Sequence, residues 1–186
     1  MVRRIVAPAL AAVTLVSAAA APAGARSEHH LRATRPARAT SAMRVLEAEV
    51  LVSVNRIRAQ HRLVGLRFSP KLTAAATQHS REMARLGYFS HDSANGGAFW
   101  RRIERYYPSH GFRSWSVGEN LLWSSPDVDA AGALRMWMQS PEHRANLLNR
   151  GWREVGLSAI HVASAHGAYH DLDVTIVTAD FGARHK

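Results

Sequence analysis

Cysteine is absent from the 186 residues. That absence removes disulfide-framed scaffolds, thiolate zinc sites, thiol nucleophiles and iron–sulfur clusters together. Acidic residues are few beside basic ones, 14 Asp and Glu against 24 Lys and Arg, which leaves a formal charge of +10 at neutral pH. The short catalytic and binding signatures H-E-x-x-H, G-x-S-x-G, the phosphate-binding glycine loop and the EF-hand do not occur. What remains is apolar material for one domain: hydrophobic residues make up 47% and charged residues 20% of the chain. Those fractions exclude a wholly disordered chain, a collagen and a coiled coil.

The first 25 residues read as a secretory signal peptide. Arg3 and Arg4 precede an uncharged run over residues 5–20, and Ala23-Gly24-Ala25 offers a small-residue cleavage site. The alternative, an uncleaved anchor, would have to span about 30 Å of hydrocarbon, and the run is short for that and broken by Pro8. The expected product is secreted, extracellular and begins at Arg26. Residues 26–44 carry a net +4, as much as all of residues 45–186. Residues 26–40 hold Arg, Ala, Thr, His and Pro with little to bury, so they are expected to form a disordered basic arm. An anionic cell envelope is the natural electrostatic partner of such an arm outside the cell, and nucleic acid is not.

From residue 41 to residue 186 the pattern is that of a folded domain. Met43, Leu46, Val50, Val54 and Ile57 recur every three or four residues, so they share one helix face. Three Ser-Pro pairs, at Ser69, Ser125 and Ser140, each read as a helix start, with serine as cap and proline at the first helical position. The stripe Leu72, Ala76, His79, Met83 follows the first pair, and Ala130, Ala133, Leu134, Trp137, Met138 follows the second. A short helix is expected over residues 98–107, a loop over 92–97, a strand over 116–124, and a hairpin of strands 155–162 and 173–179. Helices first and strands last point to an α+β fold with a small antiparallel sheet covered by helices.

The candidate chemistry lies in polar residues set among apolar ones: His79, His91, Glu119, Glu142 and His143. Taken alone, they suit a hydrogen-bonded His–Glu pair that fixes the fold around a groove. Glu142 has a sufficient role beside the positive end of a helix dipole. Adjacent helical positions point about 100° apart, so it does not share the direction of His143. His79 falls inside an apolar stripe and reads as a core or rim histidine.

The stretches Ala76–Ala84, Tyr88-Phe89-Ser90-His91, Gly118-Glu119-Asn120-Leu121, Trp137–Leu148, Val155-Gly156-Leu157 and Phe181-Gly182 occur in that order. In order and spacing they resemble the CAP superfamily of cysteine-rich secretory proteins, antigen 5 and plant pathogenesis-related proteins, in its bacterial secreted branch. The resemblance covers about residues 43–182. It implies a three-layer α-β-α sandwich with a cleft that holds two histidines and two acidic residues, where some members bind zinc. By position, His91, Glu119 and His143 match cleft residues. The second acid falls on Ser140, so this chain has none there.

Two imidazoles and a carboxylate suit zinc, with water in the fourth position. The expected protein is a monomeric, non-enzymatic binding protein. Its cleft takes a divalent metal, and an adjoining groove takes a lipid or other apolar ligand. A metal-dependent hydrolase of peptide or envelope material and a structural protein of the envelope are the alternatives; no nucleophile–base pair is evident in the sequence.

Overall fold

The structure, a computed structural model, describes residues 4–5 and 35–186, with side chains from residue 40 onward. In chain order the elements are β1 (Arg4–Ile5), α1 (Arg35–Gln60), β2 (Arg67–Phe68), α2 (Pro70–Leu86), α3 (Phe99–Tyr106), β3 (Ser114–Ser124), α4 (Ala130–Gln139), α5 (Pro141–Leu147), β4 (Glu154–Ala165) and β5 (Leu172–His185). The sheet order is β1-β3-β5-β4-β2. Its three long strands are antiparallel, and the two-residue strands at either edge pair in parallel.

Period-two alternation along the long strands divides their side chains between two layers of helices. Leu122, Val177, Ala179 and Phe181 pack with Leu46, Val50 and Val54 of α1, Ala133 and Trp137 of α4 and Leu147 of α5. On the opposite face Val117 packs with Leu72 and Ala75 of α2 and Phe99 and Ile103 of α3, while Met83 meets Leu121, Trp123, Val174 and Ile176. The result is the three-layer α-β-α sandwich.

Local chemistry explains the boundaries. Ser69 and Ser140 cap α2 and α5, each followed by proline in the first turn. Ser125 does not start a helix: Asp129 caps α4 instead, accepting the Gly132 amide at 2.6 Å. A carboxylate at the cap also meets the helix dipole, which a serine hydroxyl does only weakly. α2 ends at Gly87, whose φ of 66° suits glycine and whose amide bonds the Met83 carbonyl.

The hairpin loop is shorter than its sequence suggests, because pairing continues past a bulge to Ala165 and Leu172. α1 starts at Arg35, so the last residues of the expected basic arm are helical. Pro36 falls in the first turn, where a missing N–H is no loss. The rest of the arm and the expected leader lie outside the described residues, except for Arg4–Ile5 beside Val117–Gly118. Among the described residues no helix is long and apolar enough to cross a membrane.

Helix α5 is seated against the edge of β3 by side-chain donors. Asn146 Nδ2 donates to the Glu119 carbonyl at 3.1 Å, and Trp137 Nε1 of α4 donates to the Leu121 carbonyl at 3.2 Å. Asn120 Nδ2 returns a bond to the His143 carbonyl at 3.1 Å. The Glu119 and Leu121 carbonyls, which lie past the stretch of β3 that pairs with β1, are thereby satisfied, and α5 is held against β3.

Candidate functional site

Odd-numbered residues of β3 face the α2–α3 layer, which buries Glu119 between sheet and helices at 1% exposure. A carboxylate there requires partners. Arg102, one turn into α3 and equally buried, places its Nη2 on Glu119 Oε2 and its Nη1 on the His91 carbonyl at 3.1 Å. His91, in the loop between α2 and α3, donates Nδ1–H to Glu119 Oε1 at 2.8 Å. His79 of α2 is fully buried, donates Nε2–H to the Ser90 carbonyl at 2.9 Å, and lies 3.9 Å from Glu119 Oε1.

The β3–β5 register sets Asp180 directly opposite Glu119 on the same face. Asp180 is also fully buried, and neither of its oxygens accepts a hydrogen bond from a described donor, its polar neighbour being the Glu119 carboxylate. Burial alone would raise both carboxyl pKa values. At Glu119 the Arg102 charge and the His91 hydrogen bond overcome burial and hold the group well below the usual carboxylate range. At Asp180 burial and then the negative Glu119 raise the pKa well above that range. Glu119 is therefore the ionised member of the pair and Asp180 the protonated one.

A testable consequence follows from the sign. A carboxyl whose native pKa is raised loses stability as pH rises from its unfolded value, about 3.9 for aspartate, toward its native one. Asp180→Asn keeps the shape without the titration. It should gain on the wild type by up to about 1.4 kcal/mol per pH unit across that window and gain nothing below it. Urea melts of both proteins between pH 3 and pH 8 check this. A variant less stable than the wild type at pH 7 would show that Asp180 is ionised.

His143 reaches the cleft from α5 and is 2% exposed. Burial, and then the proximity of His91, lowers its pKa to about 4, so the ring is neutral at physiological pH. Its Nε2 and the Nε2 of His91 are both buried without a hydrogen-bond partner. Glu119 stands behind His91 rather than open beside it, since both of its oxygens are taken by His91 and Arg102. Among the described residues no group of three or more His, Asp or Glu side chains stands ready to hold a metal ion. The cleft atoms left without a hydrogen-bond partner include the two imidazole nitrogens, His91 Nε2 and His143 Nε2. Glu119 fixes the His91 tautomer from one shell back, as carboxylates do behind metal-binding histidines.

His79, read from sequence as a core or rim histidine, is buried and also borders Glu119. Glu142 is exposed in the first turn of α5, in keeping with a role at the helix end. Ser140 caps α5, accepting from the His143 amide at 3.5 Å. Arg102 and Asp180 escaped the sequence reading, though each left a signal. Arg102 shares the spacing of Phe99 and Ile103 on one helix face, and Asp180 continues the inward series Val174, Ile176, Thr178.

A family model described as "CAP: Cysteine-rich secretory protein family" matches residues 51–181. The chain belongs to the CAP family. In Bacillus subtilis, the uncharacterized membrane protein YlbC is 31% identical over 111 residues, which is 60% of this chain and 30% of that protein. The uncharacterized protein YkwD of the same organism is 25% identical over 126 residues, 68% of this chain and 47% of its own length. This CAP chain thus spans less than half the length of the curated relatives it matches. A crystal structure of an extracellular protein containing a SCP domain from Bacillus anthracis superposes with a TM-score of 0.62 at 28% identity, covering 81% of this chain and 44% of that one. An outer surface protein from Borrelia burgdorferi shares the fold, with a TM-score of 0.58 at 19% identity, over 73% of this chain and 90% of that one.

Proposed function

We propose that this CAP-domain chain is an extracellular binding protein whose cleft presents His91 Nε2 and His143 Nε2 to a divalent cation such as zinc. The observation that carries the reading is the pair of buried, unpartnered imidazole nitrogens, one of them oriented by Glu119 at 2.8 Å. Zinc accepts neutral imidazole, and water completes its shell where the protein supplies few ligands. When bound, the cation would act as a Lewis acid toward a ligand oxygen. The cleft residues themselves orient the rings and exclude solvent. Location outside the cell is supported by the leader-like first 25 residues and by the Bacillus anthracis neighbour, an extracellular protein.

An apolar ligand is the second reading. A groove of about 430 Å³ between α1 and α4 is lined by Ala48, Val52, Ala130 and Ala131 together with Glu49, Ser53, Arg56 and Asp129, and Val52 is 58% exposed. An acyl chain that carries a polar head is the chemistry that suits this mixed lining.

The cation reading is tested by thermal melts with and without zinc. A ligand that binds only the folded state stabilises it by about 2.7 kcal/mol at a hundredfold excess over its Kd. The expected result is a zinc-dependent rise at pH 7.5 that shrinks toward pH 5, because protons compete for imidazole. His91→Ala and His143→Ala should each abolish it, and Glu142→Gln should leave it intact. A melt indifferent to zinc at pH 7.5 sinks the cation reading and leaves the groove between α1 and α4 as the binding site.

A further inference from the structure

The exposed side of the α2–α3 layer carries four arginines against two carboxylates, Glu82 and Glu104. Arg81 and Arg85 lie one turn apart on α2, as do Arg101 and Arg105 on α3, and all four are exposed. None of them makes an ion pair with a described residue. Each carboxylate is held by a neutral hydroxyl and keeps its charge, so the face retains a positive surplus, and Arg101 also lies over the Trp100 ring at 5.3 Å. Glu82 accepts from the Tyr88 hydroxyl at 2.9 Å, and Glu104 accepts from the Ser109 hydroxyl.

The same surface is furrowed rather than flat. A depression of about 610 Å³ runs past Arg81 and Arg85, and another of about 320 Å³ past Arg101 and Arg105. The two share Gln78 and Glu82 as a common wall. A third, of about 400 Å³ between α1, α2 and β4, borders the first at Thr77 and Arg81.

We infer that this face binds a linear polyanion, a chain of repeating phosphate or carboxylate groups, laid along the furrow across α2 and α3. Charge complementarity identifies the occupant's sign, because guanidinium forks pair with phosphate and carboxylate oxygens in two-point contacts. The adjoining depressions suit an extended occupant that crosses their shared side chains. A bilayer would press on a flat face with several protruding apolar anchors. Here no large exposed hydrophobic lines the larger depression, and Leu86, at the end of α2, is the one such residue on either helix. The inference is independent of the cleft and of the cation proposed for it.

The experiment measures binding of the full chain to linear inorganic polyphosphate over a salt series. Three variants are compared: R81A/R85A/R101A/R105A, its lysine counterpart R81K/R85K/R101K/R105K, and a control with the same charge change elsewhere, R56A/R135A/R144A/R150A. The alanine variant of the furrow should bind roughly a hundredfold or more weaker at low salt. Its slope of log affinity against log salt should fall by about 3. The lysine variant should keep most of the binding. The control should lose less than about fivefold, since distant exposed charges are screened. Melting curves establish that each variant is folded. Equal losses in the furrow and control variants would show that net charge or the basic arm does the binding, and would overturn the inference. So would a chain that ignores polyphosphate, whether or not it binds phosphatidylglycerol vesicles, the outcome expected of a membrane-docking face.

Discussion

Gly156→Ala is expected to cost about 3 kcal/mol, and so to lower the Tm by roughly 6–12 °C. The reason is backbone against backbone. A Cβ on Gly156 of β4 would lie 2.0 Å from the Thr73 amide nitrogen and 2.1 Å from the Leu72 carbonyl carbon of α2. Neither atom belongs to a side chain that can swing away, so the helix itself must lift off the sheet. Leu72, Ala75, Ala76 and His79 travel with it, and all are buried. The control is Gly65→Ala, where the nearest atoms belong to the Asn55 side chain at 3.5 Å, an ordinary contact. That variant should stay within about 0.5 kcal/mol of the wild type. Calorimetric scans of the two variants decide the matter, and a Gly156→Ala protein that melts with the wild type would mean that α2 does not lie this close to β4.

The second large effect is expected at Arg102. Arg102→Met leaves a buried Glu119 without its countercharge, a change that typically costs 3–5 kcal/mol, here about 4. The pH dependence separates this from simple loss of packing. Glu119 has a native pKa below its unfolded one. Its contribution is therefore present above about pH 4.3, the ordinary glutamate value, and lost as pH falls through the native one. Removing Arg102 raises the native pKa and takes that contribution away, so the gap between variant and wild type should be wide at pH 7 and narrow toward pH 3. Arg102→Met combined with Glu119→Gln should recover part of the loss at pH 7, since no buried charge then remains. Denaturant titrations at the two pH values, analysed as a double-mutant cycle, test it. A gap that is constant with pH and unchanged by Glu119→Gln would reduce Arg102 to a packing residue.

Legibility in the sequence followed the range of the interaction. α2 and α5 were readable because a Ser-Pro pair and an apolar stripe lie within one stretch of chain. The Ser125-Pro126 pair has the same letters, yet α4 takes Asp129 as its cap, because a better acceptor stands a few residues on. His91, Glu119 and His143 stood out by their settings and by resemblance. The spatial order that places Glu119 behind His91 depends on Arg102 of α3, a residue no local pattern ties to β3. Asp180 depends on more still. It meets Glu119 only through the β3–β5 register, which pairs positions 61 residues apart in the chain. A one-residue slip would carry Asp180 away from Glu119, and nothing local in either strand forbids that slip except the burial of alternate side chains.

The seating of α5 ties solubility to the geometry of the cleft. Asn146 and Trp137 occupy the carbonyls that a strand from another molecule would otherwise claim along β3. His143 rides on the same short helix, with its own carbonyl held by Asn120. The cover over this stretch of β3 and the placement of one cleft imidazole thus share the seating of α5. Any change that loosens α5 to reshape the cleft also uncovers a sticky edge, so variation of the ligand pocket is constrained by the need to remain dispersed. Changes to the loop that carries His91 bear no such penalty, and that side of the cleft is the freer one to alter.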